Sequence, residues 1–268
     1  MSPEVHGLPE FYASAMGLVA ARRLRERLHA AWPNLGGMNV LGLGWTAPYL
    51  GLWQADARRC LSLVPPQIEV SRWPAQHPMV MAEQEALPFP DRSMDRVLIV
   101  HGLEAADHAR RMMREVWRVL ADNGRVLVVA PNRRGVWAHL EKTPFGQGQP
   151  YSMGQLRRLL KRQLFTVEQH DTALYIPPFG PRALMRGSRL WERMGKAVAP
   201  RLAGLVMIEA SKSVWAAVPA NGASSPARRM VAVGGRAWPR HHGPGLKAAR
   251  LTEGENDERR QPDAQPRD

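Results

Sequence analysis

An apolar run, Asn39 to Leu43, leads straight into a bend that contains Gly42, Gly44, Trp45, Thr46, Ala47 and Pro48. A buried strand that breaks at glycine and restarts as a helix belongs to α/β architectures, where backbone must pass close to a ligand or to a neighbouring strand. Pro48 suits the first helical turn, where its missing N–H costs little. Two readings of the bend stand side by side. One is a tight strand-to-helix turn with nothing bound; the other is a cradle for a nucleotide-like ligand, since Gly42-x-Gly44-x-x-Ala47 also fits the dinucleotide pattern.

Around the bend, helical and strand-like patterns alternate. Phe11, Leu18, Ala21, Leu24 and Leu28 recur at helical spacing and predict one leading helix. Short apolar runs then predict strands at 39–43, 59–64, 79–82, 96–100 and 125–130. Ala105, Ala109, Met112, Val116, Val119 and Leu120 form a helical stripe, expected to stop at Asp122, Asn123 and Gly124, where a left-handed residue ends a helix. Ser152 and Gln155 have capping-box spacing ahead of Leu156, Leu159, Leu160 and Leu164. Two longer strands are expected at 165–176 and 205–218, with a helical insertion at about 181–204. The prediction is a mostly parallel sheet with helices on both faces.

Composition narrows the setting. Of 268 residues, 44% are apolar and 23% charged, a globular balance. No apolar run reaches the ~18 to 20 residues that cross a bilayer, and the first ten residues do not read as a secretory signal. Cys60 is the single cysteine, so no intrachain disulfide forms and the cytoplasm is the expected compartment. The histidines show no metal-ligand spacing, and no metal is expected. Residues 219–268 read as a basic, largely disordered tail behind a domain at 1–218 with its core at 38–176. The net charge of +13 makes RNA a partner class to weigh, although no RNA-binding motif is recognisable.

Hydride transfer of the short-chain type is excluded, because the residues four after the tyrosines are Met16, Trp53, Gln155 and Phe179, never Lys. The segment from Ala82 to Val97 decides between cofactors. It places Glu83 ahead of Leu87, Pro88, Phe89, Pro90 and Asp91, then Met94 and Asp95 before a strand. Here the chain resembles the class I S-adenosylmethionine-dependent methyltransferases of the small-molecule, type 11-like group. That resemblance implies a Rossmann-like seven-stranded, mostly parallel sheet whose last strand is antiparallel. It also implies S-adenosylmethionine held by Gly42, Gly44, Trp45, Glu83 and Leu87, with the methyl acceptor near His101, Gly102, Leu103 and Glu104. The acceptor itself is a small molecule or another, unidentified compound; the net charge of +13 alone adds an RNA-directed methyltransferase as a further alternative.

The pattern departs from the family at two places. Thr46 replaces a further glycine, and the ribose-binding acid expected at the end of the second strand is absent, with Gln67 and Glu69 lying just beyond. A charge-assisted hydrogen bond contributes roughly 1.5 to 3 kcal/mol, so a non-catalytic relative that keeps the fold as a binding module is the alternative reading. His101 is the candidate general base. Glu104 and Asp107 read either as substrate ligands or as helix-capping acids, the latter being favoured. The loop from Trp137 to Tyr151 is long enough to cover a pocket.

Overall fold

In the computed structural model, which describes residues 7–68, 78–140, 143–175, 195 and 202–213, the expected strands join into one sheet. They are β1 (Asn39–Gly44), β2 (Arg59–Val64), β3 (Met79–Met81), β4 (Met94–Val100), β5 (Leu120–Pro131), β6 (Phe165–Ala173) and β7 (Leu205–Lys212). Their order is β3-β2-β1-β4-β5-β7-β6. The pairs from β3 to β5 are parallel, whereas β7 runs antiparallel to both β5 and β6. This is the Rossmann-like sheet with an antiparallel last strand that the sequence led us to expect.

Alternation along each strand divides the core between the two sheet faces. Val40, Leu98, Leu127 and Val129 point to one side, beneath α1 (Leu8–Ala13), α2 (Ala15–Ala31) and α3 (Ala47–Leu50). Leu41, Val97, Val126 and Val128 point to the other, against α4 (Ala109–Val119) and α5 (Met153–Arg162). Burying each such side chain stabilises the fold by roughly 1.5–3 kcal/mol relative to leaving it in water. The capping box of α5 forms as expected: the Gln155 N–H donates to Ser152 Oγ at 3.3 Å, and the Ser152 N–H donates to Gln155 Oε1 at 2.9 Å.

Two local expectations fail for identifiable reasons. The leading helix is broken at Ser14, whose extended backbone and hydroxyl, accepting from the Gly17 N–H at 3.0 Å, start a second helix. The break shifts the helical phase, so Leu18 turns outward and is 58% exposed. The helix α4 does not run on to a left-handed stop. Leu120 turns extended (φ −68°, ψ 135°) and opens β5 directly. Asp122 to Gly124 then fall in an irregularity of that strand, where pairing jumps from Met94–Leu120 to Arg96–Arg125. The insertion at 181–204, apart from residues 195 and 202–204, and the whole tail at 219–268 lie outside the described residues.

Candidate functional site

Where β1 and β4 lie side by side, their connections leave toward opposite halves of the sheet, which is where doubly wound folds open a crevice. Gly44 makes the bend there with φ 84°. A Cβ at Gly44 would strike the Val100 carbonyl and come within 2.6 Å of the Gly102 nitrogen, while the Trp45 N–H donates to Val100 O at 2.8 Å. Glycine is therefore required here by the neighbouring strand. Gly42 is a strand residue paired with Ser62 and Leu98. The space beside its Cα is taken by the Thr46 side chain and, at 2.8 Å from an added Cβ, by Leu50. Thr46 is itself buried, with Oγ1 3.3 Å from Ser62 Oγ.

Four side chains from four segments fill the crevice. Tyr12 of α1, Trp45 after β1, Tyr49 of α3 and His101 after β4 are all buried. The Tyr12 ring stacks on Trp45, with centroids 6.4 Å apart and planes at 24°. The Tyr49 hydroxyl donates to the Tyr12 hydroxyl at 2.9 Å, and the Tyr12 hydroxyl lies 2.8 Å from His101 Nε2. On the far side, His101 Nδ1 lies 3.1 Å from Glu104 Oε1. With Glu104 as a carboxylate, which only accepts, Nδ1 carries the proton and Nε2 accepts from Tyr12. Burial pushes both phenols above their ordinary pKa, with the charges of Tyr49 and Glu104 adding to the effect at Tyr12. Both hydroxyls thus stay protonated and available as donors.

His101 adopts the left-handed conformation (φ 54°) that non-glycine residues rarely take. The described parts of the loop at 136–151, residues 136–140 and 143–151, cover it. Short 3-10 turns at Val136–His139 and Pro144–Gly146 bring Phe145 to 4.8 Å from the imidazole, centroid to centroid, and set Trp137 and Phe145 edge-on against Phe11. The Gln149 N–H donates to Glu104 O at 3.1 Å, pinning the end of the loop.

The remaining predicted residues divide. Gly102 and Leu103 are buried beside His101. Glu83 is exposed at a cleft of about 10 Å³ that Gln67, Gln84 and Asp107 also line. Gln84 is buried, and its Oε1 has no hydrogen-bond partner. Leu87 lies elsewhere, in the core beneath α4, with its N–H donating to Glu115 Oε2 at 3.0 Å. Glu104 is no helix cap: it faces His101, and the N–H of His108 ahead of α4 is met by Glu85 Oε1 at 2.9 Å. Tyr12 and Tyr49 were not anticipated. Their hydroxyls sit on stretches that read as ordinary apolar packing, and no local spacing links either to His101.

A cofactor the size of S-adenosylmethionine needs a pocket of several hundred cubic ångströms. The described arrangement does not fit it, because Tyr12, Trp45 and Phe145 occupy the crevice and the cleft beside Glu83 measures about 10 Å³; a larger hollow of about 480 Å³ lies away from these residues, at the start of β2, lined by Gln54, Arg59, Cys60 and Pro78. At the end of β2, the position of the ribose-binding acid in the family pattern, stand Val64 and Pro65. Gln84 Oε1, beside the cleft at Glu83, is nevertheless an orphaned acceptor.

The strand order and the glycine bend at the β1–β4 switch point define a class I methyltransferase fold. Residues 41–128 match the family model described as a methyltransferase domain. Among curated relatives, the ubiquinone/menaquinone biosynthesis C-methyltransferase UbiE of Bordetella avium is 39% identical over 56 residues, 21% of this chain and 22% of that one. The protein of the same name from Hahella chejuensis is 48% identical over 50 residues, 19% of this chain and 20% of that one. The aligned stretches thus span about a fifth of these relatives' length.

Three solved structures share the fold. The protein complexed with the Trm112 methyltransferase activator of Haloferax volcanii aligns with a TM-score of 0.57 at 18% identity, covering 80% of this chain and 99% of that one. A SAM-dependent methyltransferase from Archaeoglobus fulgidus aligns at 0.52 and 16% identity, covering 76% and 97%. The [4+2]-cyclase SpnF aligns at 0.53 and 17% identity, covering 72% and 81%. A cyclase on this scaffold makes plain that the fold does not by itself dictate the reaction.

Proposed function

We propose that the chain is an S-adenosylmethionine-dependent methyltransferase for an unidentified acceptor, and that the described arrangement is its shut form. The observation that carries this reading is the packing of Gly44 against the backbone of Val100 and Gly102, which flank His101, at the switch point and inside the segment that matches the methyltransferase domain. In this reading the donor lies along Gly44, Trp45, Glu83 and Gln84, and Tyr12 must withdraw before it enters. Gly42 and Leu87, packed within strand and core, act by shaping the site. Withdrawal of Tyr12 leaves His101 Nε2 as a bare proton acceptor, while Glu104 holds the proton on Nδ1. Such a site suits an acceptor whose nucleophilic atom carries a proton. We place this activity in the cytoplasm, within a domain at 1–218.

A second reading rests on the filled crevice and the missing ribose acid: the fold is kept as a non-catalytic binding module. Calorimetry with S-adenosylmethionine and S-adenosylhomocysteine on wild type, Tyr12→Ala and Trp45→Gly separates the two. Binding to wild type, or at least tenfold tighter binding once Tyr12 is truncated, supports the methyltransferase. No binding at millimolar ligand to any folded variant supports the module.

A further inference from the structure

The arginine-rich helices are not equivalent. On α2 the cations are engaged: Arg22 and Arg23 lie 3.7 and 2.6 Å from Glu26, Arg27 lies 3.4 Å from Asp171, and Arg25 donates to the Pro48 carbonyl. On α4, Arg118 is held by Glu115 and Asp91, and Arg111 reaches Glu85 at 4.0 Å. By contrast, Arg110 and Arg114 of α4 and Arg158, Lys161 and Arg162 of α5 are exposed and have no ion-pair partner among the described residues. The helix α5 contains no acid at all.

Both helices bury their apolar sides, Met112 and Val116 on one, Leu156 and Leu160 on the other, against the same sheet face. Their cationic sides therefore look away from that face together. Leu164, two residues beyond α5, is 39% exposed next to Lys161 and Arg162. We propose that this α4–α5 face docks on an anionic phospholipid surface, with guanidinium groups on lipid phosphates and Leu164 at the headgroup boundary.

Charge complementarity and shape favour this partner. Guanidinium forks match phosphate oxygens bidentately, and basic residues beside an exposed leucine are what an interfacial helix presents to lipid. Binding of single-stranded RNA relies on aromatic platforms for base stacking. No Phe, Tyr or Trp is exposed among the described residues.

The test uses the full chain with vesicles of phosphatidylcholine alone and of phosphatidylcholine mixed with phosphatidylglycerol, read by co-sedimentation. We expect binding only to the mixed vesicles, weakening as salt rises from about 0.1 to about 0.5 M. Each basic residue near such a surface is worth roughly fivefold in affinity, so Arg158→Glu/Lys161→Glu/Arg162→Glu should lose on the order of a hundredfold. Arg22→Glu on the opposite face should bind like wild type. If the α5 variant does not fold, Arg110→Glu/Arg114→Glu supplies the same test from α4. Equal binding to neutral vesicles, undiminished binding by the folded variants, or salt-sensitive retention of RNA without retention of vesicles would each overturn the proposal. None of these readouts depends on methyl transfer.

Discussion

The Tyr12 hydroxyl lies 2.8 Å from His101 Nε2, linking side chains 89 positions apart in the chain. The contact ties α1 to the end of β4, and because both residues are buried no water replaces a lost partner. Tyr12→Phe strands two groups at once, the Tyr49 hydroxyl that donated to it and the imidazole nitrogen that accepted from it. We expect a loss of about 1–3 kcal/mol in urea unfolding. Tyr49→Phe leaves the Tyr12–His101 bond intact and should cost about 1 kcal/mol or less. Equal costs would contradict the direction of the relay, from Tyr49 through Tyr12 to His101.

The same phenols set an alkaline limit. Burial raises both pKa values in the folded state. Their contribution is therefore fully present below the ordinary phenol value, about 10, and is lost as pH climbs above it, because the unfolded chain ionises first. Lys212 acts with the opposite sign: burial lowers its pKa, so its share of the stability grows with pH. The unfolding free energy of wild type should fall above pH ~10. In Tyr12→Phe/Tyr49→Phe it should start lower and stay flatter. Parallel curves would remove the tyrosines from the account.

At the acid end the relevant pair is Glu115 and Arg118. The guanidinium donates to Glu115 from Nε at 3.0 and 3.2 Å and from Nη2 at 2.7 Å, and to the Leu87 and Phe89 carbonyls, tying the 87–91 segment onto α4. These bonds to Arg118, with the Leu87 N–H assisting, hold the Glu115 carboxyl below its ordinary range. A depressed carboxyl stabilises the fold above its unfolded pKa, about 4.3, and the contribution disappears as pH drops through the folded value. Glu115→Gln should be less stable than wild type at pH 7, with the difference closing in acid below pH ~4. An undiminished difference at low pH would assign the effect to packing.

Legibility followed the range of the interactions. The strands could be read because each buries a short apolar run whose alternation meets a helix on either side, and β2 was placed without error at Arg59–Val64. The capping box at Ser152 was legible because both of its bonds span three residues. The break at Ser14 was not, since the spacing of Phe11, Leu18, Ala21, Leu24 and Leu28 reads as one helix and gives no local sign that Leu18 turns outward. The site was half legible. Gly44 and His101 follow strands and announce themselves by position, whereas Glu104 read as a helix cap because its imidazole partner is created by the left-handed turn at His101. Tyr12 and Tyr49 enter the crevice only through tertiary packing, and no local rule selects a phenol on a helix as the plug of a distant bend.

Gly7 and Gly44 separate strain from crowding. Both lie in the left-handed region, at φ 72° and 84°. An added Cβ at Gly7 meets nothing within 4 Å, whereas at Gly44 it runs into the Val100 carbonyl and the backbone of Gly102. Gly7→Ala should therefore cost only the conformational penalty, about 1–2 kcal/mol. Gly44→Ala carries that penalty and must also push β1 away from β4 at the centre of the sheet, a loss of more than about 4 kcal/mol, at the exceptional end for a single substitution. Thermal and urea unfolding of the two variants measures the difference directly. Comparable stabilities would mean that the space beside Gly44 is open, and that the glycine is there for a ligand and not for the neighbouring strand.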